Sequence, residues 1–157
     1  MKTRLTFLFI ILFTIGNSYS QNGDSKALSI HEPRVEYREN PEGIDVLQPR
    51  FSWILKGEGR NRIQSAYQIT VASSLEKLSQ DQADIWDSGK VISNQTNQIV
   101  YEGIPLVSAT KYYWKVRVWD ELGVVSAWST PAYWSMGLLK FSNWQGLFIG
   151  HDVGYNK

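Results

Sequence analysis

The stretch 112–119 limits the fold more than any other. Tyr112, Trp114, Val116 and Val118 fall on one side of a period-two pattern, and Tyr113, Lys115, Arg117 and Trp119 fall on the other. Side chains alternate in this way along an extended strand, where successive Cβ atoms point to opposite faces. Two cations on the second side mark it as the wet face, so the first side is expected to cover a core. A strand cannot bury that face alone and needs partner strands and a second layer.

Those partners are legible elsewhere in the chain. Leu28 and Ile30 start an alternation that runs past Pro33 to Val35 and Tyr37. Pro33 has no amide hydrogen to give a ladder, which predicts a strand at a sheet edge or one broken there. Asn40-Pro41-Glu42-Gly43 reads as a turn. Phe51, Trp53 and Leu55 then alternate with Ser52, Ile54 and Lys56, and Tyr67, Ile69 and Val71 alternate with Gln68, Thr70 and Ala72. The polar bend 57–61 between them is expected to be a solvated hairpin or a longer loop. Residues 74–78 form the only helical turn expected, with Ser74 as its cap. Further extended segments lie at 85–87, from Val91, at 98–101 and at 133–136, divided by Ser88-Gly89, a polar run at 93–97, Gly103 with Pro105, Leu122-Gly123, and a bend at Trp128 and Pro131. Short strands at regular turn spacing, without βαβ alternation, predict an all-β sandwich of about seven strands.

The N-terminus has a different character. Lys2 and Arg4 precede an apolar run from Leu5 to Ile15 broken only by Thr6 and Thr14, and Ser18, Tyr19 and Ser20 follow. A basic start, an apolar run and small residues three apart predict a secretory signal peptide over 1–20, cleaved between Ser20 and Gln21. A membrane anchor would need about 20 apolar residues, and Gly16 and Asn17 end this run early. A polar leader, 21–27, follows. The expected location is therefore outside the cytoplasm, periplasmic or extracellular, with no membrane association after cleavage. Loss of Lys2 and Arg4 from the 16 basic residues leaves 14 against 15 acidic ones, a net charge of −1. With no basic cluster, nucleic acid is excluded as a partner. There is no cysteine, which removes disulfides, thiol catalysis and Cys-ligated metal from consideration. Seven Trp, eight Tyr and six Phe supply the apolar area for a core that depends on packing alone.

The residues that could carry chemistry are sparse. His31 and His151 have no ligand or triad spacing around them, and Gly57 and Gly59 lack the Lys-Ser/Thr step of a phosphate loop. No cofactor or metal is expected. Asp84, Asp87, Asp120 and Glu121 are the notable acids, but inverting glycoside hydrolysis needs two carboxyls facing each other roughly 6.5–9.5 Å apart, which composition cannot show. Asp87 precedes Ser-Gly and Asp120 precedes Leu-Gly, so both are expected to accept backbone hydrogen bonds in turns. Trp119, Tyr113, Trp128 and Trp134 are the candidate aromatic contacts. Such rings can stack on sugars, or they can pack beneath a loop or against a neighbouring domain. Asn94-Gln95-Thr96 matches a glycosylation pattern in a polar loop, a match frequent by chance.

Leu106, followed six residues later by Tyr112 and then by Trp114, Val116 and Val118, resembles the late-strand signature of fibronectin type III domains, and Trp53 resembles their core tryptophan. The resemblance implies a Tyr112 hydroxyl bonded back to upstream backbone while its ring packs inward. A longer set of strings is more specific: 36–45, Pro49-Arg50-Phe51-Ser52-Trp53, Gln64-Ser65-Ala66-Tyr67-Gln68-Ile69, Trp86-Asp87-Ser88-Gly89-Lys90-Val91, 112–120 and 134–139. Together they resemble the N-terminal β-domain of bacterial α-L-rhamnosidases of glycoside hydrolase family 78. Trp144-Gln145-Gly146-Leu147-Phe148-Ile149-Gly150 resembles the link to those enzymes' next β-sandwich.

That resemblance implies a fibronectin type III-like, or immunoglobulin-like, sandwich over 28–139 and a truncated link over 140–157. The family's hydrolytic carboxylates belong to an (α/α)6 barrel further downstream, so no catalytic residue carries over and this stretch is expected to be inactive by itself. The chain is expected to be either a truncated product or an isolated first module. Expected partners are the enzyme's other domains, a second copy through the tail 141–149, or a glycan. The alternative reading is a free-standing carbohydrate-binding or adhesion module.

Overall fold

The computed structural model describes residues 27–147. The signal peptide expected at 1–20, leader residues 21–26, His151 and the tail beyond 147 lie outside the described residues. Eight strands form two antiparallel sheets: β1 (Ser29–Val35), β2 (Arg50–Lys56), β3 (Gln64–Ala72), β4 (Trp86–Asp87), β5 (Val91–Ile92), β6 (Ile99–Val100), β7 (Lys111–Asp120) and β8 (Ala132–Ser135). One sheet has the order β1-β2-β6; the other runs β4-β3-β7-β8, with β5 also paired to β3. Three of the eight strands are only two residues long, which accounts for the difference from the seven expected. Among the described residues no helix is long and apolar enough to cross a membrane.

The period-two patterns place the core. Tyr67, Ile69 and Val71 of β3 pair with Val118, Val116 and Trp114 of β7, and in an antiparallel ladder directly opposed residues share a face. Phe51 and Trp53 of β2 meet that face from the other sheet. The Phe51 ring lies 4.6 Å from Trp114 and 5.6 Å from Trp134, and Tyr112 stacks on Trp134 at 5.3 Å. Trp53 is buried, and its Nε1–H donates to Gln64 Oε1 at 3.1 Å. Gln64 in turn donates to the Ser93 and Gln95 carbonyls at 3.0 and 2.8 Å, tying the polar run 93–97 to the core. The Tyr112 hydroxyl accepts the Val107 amide at 2.9 Å, the backward bond that the resemblance implies.

Edges and turns follow the local chemistry. β1 pairs only with β2, and its register shifts between His31 and Arg34, on either side of the Pro33 that cannot donate. Residues 40–44 cover the free edge of β8: Pro41 O accepts Ser135 N at 3.0 Å and Ile44 N donates to Ser135 O at 3.0 Å. The bend 57–61 is no hairpin, because β2 and β3 belong to different sheets and the loop crosses between layers.

The outer face of β7 departs from the expected wet surface. Lys115 is only 6 % exposed, and Thr70 and Ala72 beside it are buried. The cause is α1 (Leu75–Ser79), which is capped by Ser74 Oγ accepting Lys77 N and lays Leu78 on the sheet. Lys115 Nζ donates to Leu78 O at 2.9 Å and to Asp81. Sequence alternation cannot register a cover made by a five-residue helix from elsewhere in the chain.

Asp84 closes the loop after α1. It accepts Ser73 N at 2.9 Å, Ser73 Oγ at 2.7 Å and Lys77 Nζ at 2.6 Å. Burial acts to raise its pKa, but the bonds from Lys77 and Ser73 outweigh burial and hold it at about 2, below the ordinary 3.8. A depressed folded-state pKa contributes stability that is fully present above about 3.8 and is lost as pH falls through about 2. The Lys77–Asp84 pair is partly solvated, so Asp84→Asn should cost only about 1 kcal/mol near neutral pH. Urea unfolding across the acid range should show this difference shrinking between about pH 4 and pH 2. A difference that stays constant would contradict the assignment.

Candidate functional site

β8 pairs only with the first four residues of β7, Lys111 to Trp114. Further along that edge, the connection after β7 completes the bonding. Ser126 N and Ser129 N donate to Val118 O and Val116 O, both at 2.8 Å, while Ser126 Oγ and Ser129 Oγ accept Val118 N and Val116 N at 3.0 and 3.1 Å. Two serines thus stand in for a paired strand, and Trp128, one of the two residues between them, comes to lie beside the outward side chains of β7.

The result is a ladder of cations and rings. Lys90 Nζ lies 4.6 Å from the Trp119 ring centroid, Arg117 Cζ lies 5.2 Å from Trp119 and 4.6 Å from Trp128, and Lys115 Nζ lies 4.7 Å from Trp128. Each contact is favourable by about 0.5–1 kcal/mol where exposed and more where desolvated. Polar partners fix two of the cations: besides the bonds of Lys115 to Leu78 O and Asp81, Gln68 Oε1 accepts Arg117 Nε and a terminal nitrogen at 3.0 and 2.7 Å, and Gln68 Nε2 donates to Asp87 at 2.7 Å. Asp81 is held below the usual carboxylate range by the hydrogen bond from Lys115.

Trp119 and Trp128 therefore share one surface through Arg117. A sugar stacking on either ring would compete with a cation already there. Tyr113 is on the same face but six residues from Trp119, roughly 20 Å away at strand rise. It pairs with Tyr133 at 6.3 Å, where Lys111 Nζ lies 4.3 Å over the Tyr133 ring and bonds Glu42. Trp134 is fully buried on the opposite, core face of β8, so it is no surface contact. Its alternation partner Tyr133 takes the outer position instead.

The acids serve the backbone. Asp87 Oδ1 accepts Gly89 N at 2.8 Å, and Asp120 Oδ1 accepts Leu122 N and Val124 N at 2.9 and 2.8 Å. Asp120 Oδ2 also pairs with Arg62 at 2.8 Å, and Glu121 accepts Ile63 N and meets Arg62 Nε, each at 3.0 Å. Among the described residues no group of three or more His, Cys, Asp or Glu could hold a metal ion. His31 contacts the Ser29 hydroxyl at 3.1 Å.

Two other surfaces stand out. After β8, Leu138, Phe141, Trp144 and Leu147 are all exposed, Phe141 by 94 % and Leu147 by 90 %. A cleft also opens between the sheets, lined by Tyr67, Trp86, Asp87, Gln95, Gln98 and Glu102 among others. Its lining comes from β3, the 86–91 segment that holds β4 and the start of β5, and the 95–102 stretch, a grouping with no sequence signature.

The family model for the Rha78A-like, N-terminal immunoglobulin domain matches residues 30–140. An α-L-rhamnosidase of Formosa agariphila is 52 % identical over 118 residues, covering 75 % of this chain and 12 % of the relative. One from Streptomyces avermitilis is 46 % identical over 123 residues, covering 78 % and 12 %. The chain thus spans about 12 % of the length of these relatives. The crystal structure of the Streptomyces avermitilis enzyme complexed with L-rhamnose superposes with a TM-score of 0.72, covering 76 % of this chain and 11 % of that one. The α-L-rhamnosidase from Dictyoglumus thermophilum gives a TM-score of 0.74 at 39 % identity, covering 77 % and 14 %. The chain belongs to the Rha78A-like N-terminal immunoglobulin domain family of the α-L-rhamnosidases.

Proposed function

We propose that this domain is the non-catalytic N-terminal module of an exported α-L-rhamnosidase-like glycoside hydrolase, and that it works by packing against neighbouring domains. The observation that carries this reading is the apolar tail. Phe141, Trp144 and Leu147 follow directly on β8, and large exposed apolar patches mark contact surfaces. Burying Phe141 and Leu147 alone would contribute about 1.5–3 kcal/mol each. The hydrolytic carboxylates of the intact enzyme would lie in a downstream helical barrel. The acids described above support this division, since Asp87, Asp120 and Glu121 are committed to backbone and Arg62.

An uncovered tail should associate with itself. Sedimentation of the chain at tens of micromolar is expected to show dimers or larger species, and the Phe141→Ser/Leu147→Ser variant is expected to sediment as a monomer with unchanged Tm. A parent chain that is monomeric throughout would count against the packing role.

A further inference from the structure

We propose that the cleft between the two sheet edges binds a pyranose sugar. β6 ends the three-stranded sheet, and β4 and β5 form the facing edge of the other. Between them lies an open space of about 450 Å³, within the usual size range of small-molecule sites. This cleft is distinct from both the apolar tail and the Trp119–Trp128 ladder, and the proposal does not depend on the packing role.

Tyr67 is the central observation. It is 8 % exposed, its ring meets Trp53 at 5.5 Å, and it lines the cleft. Its hydroxyl is not among the sealed, unpartnered polar atoms of the interior but opens into the cleft, where a ligand can reach it. The exposed Glu102 carboxylate and Gln98 amide line the same cleft, where both are open to a ligand. Gln98 also holds φ at 53°, a left-handed geometry unusual for a residue with a side chain.

The chemistry suits a sugar. A ring hydroxyl both donates and accepts, and the cleft offers a carboxylate that accepts, an amide that does both, and a phenol. Burial, with the Glu102 charge adding to it, raises the Tyr67 pKa, so the phenol keeps its proton. Trp86, Val91 and Ile99 give the apolar wall against which the C–H face of a pyranose can lie. Two carboxylates and no histidine make the cleft a poor metal site.

The test is a titration of the full chain with L-rhamnose and, separately, D-glucose, followed by amide and indole NMR shifts. At least one sugar should give saturable shifts at the Trp86 indole and at the Gly89, Gln98 and Glu102 amides. Tyr67→Phe should weaken binding by about five-fold or more without lowering Tm, because the lost hydroxyl opens into the cleft. Glu102→Gln, at an exposed position, should weaken it as well. The proposal is overturned if neither sugar shifts these signals, if the shifts fall on Trp119 and Trp128 instead, or if Tyr67→Phe leaves the dissociation constant unmoved.

Discussion

Trp114→Ala should lower the unfolding free energy by about 3–5 kcal/mol. Trp114 is fully buried at the centre of the core face, with Phe51 at 4.6 Å and Val71 and Ala132 opposite it on β3 and β8. Truncation leaves a cavity that the two sheets cannot close without moving rigid strand backbones. Domains of this size have only about 5–15 kcal/mol in total, so the variant should sit near its unfolding midpoint at modest urea. Trp114→Phe separates packing from polarity. The indole N–H has no hydrogen-bond partner, so phenylalanine should lose only the missing volume and cost clearly less than alanine. Urea midpoints of the two variants check this, and a loss below about 1 kcal/mol for alanine would contradict the packing described.

Asp120→Ala should be comparably severe, at about 3 kcal/mol or more. Asp120 is completely buried and organises both ends of the β7 turn, accepting Leu122 N and Val124 N while pairing with Arg62, itself almost buried. Removing one partner of a buried pair leaves the other charge uncompensated, which typically costs about 3–5 kcal/mol. Here Arg62 keeps Glu121 at 3.0 Å, which places the expectation at the lower end. The Arg62→Met/Asp120→Ala double variant should recover part of the loss, since no guanidinium that has lost its buried carboxylate then remains. If the two single losses simply add, the residues are not coupled as drawn.

The elements most legible in the sequence were those whose pattern is local. Phe51 and Trp53, Tyr67 to Val71, and Tyr112 to Val118 alternate because each strand has one core face, and turn chemistry alone located the roles of Asp87 and Asp120. Pro33 marked an edge strand for a reason intrinsic to proline. What escaped were effects of parts distant in sequence. Lys115 reads as solvated until α1 is placed over it, and Trp134 reads as a surface ring until β8 is registered against β7. The 57–61 bend could not reveal that its two strands lie in different sheets. The cation–aromatic ladder and the Tyr67 cleft each draw on several elements, so no spacing announces either one.

The claim that this domain acts through its surfaces and not by hydrolysis is tested most directly by mixing the purified chain with 4-nitrophenyl α-L-rhamnopyranoside, with the Streptomyces avermitilis α-L-rhamnosidase as the positive control. The expected result is no 4-nitrophenol above buffer from this chain at any concentration. Release that rises in proportion to the chain's concentration would contradict it.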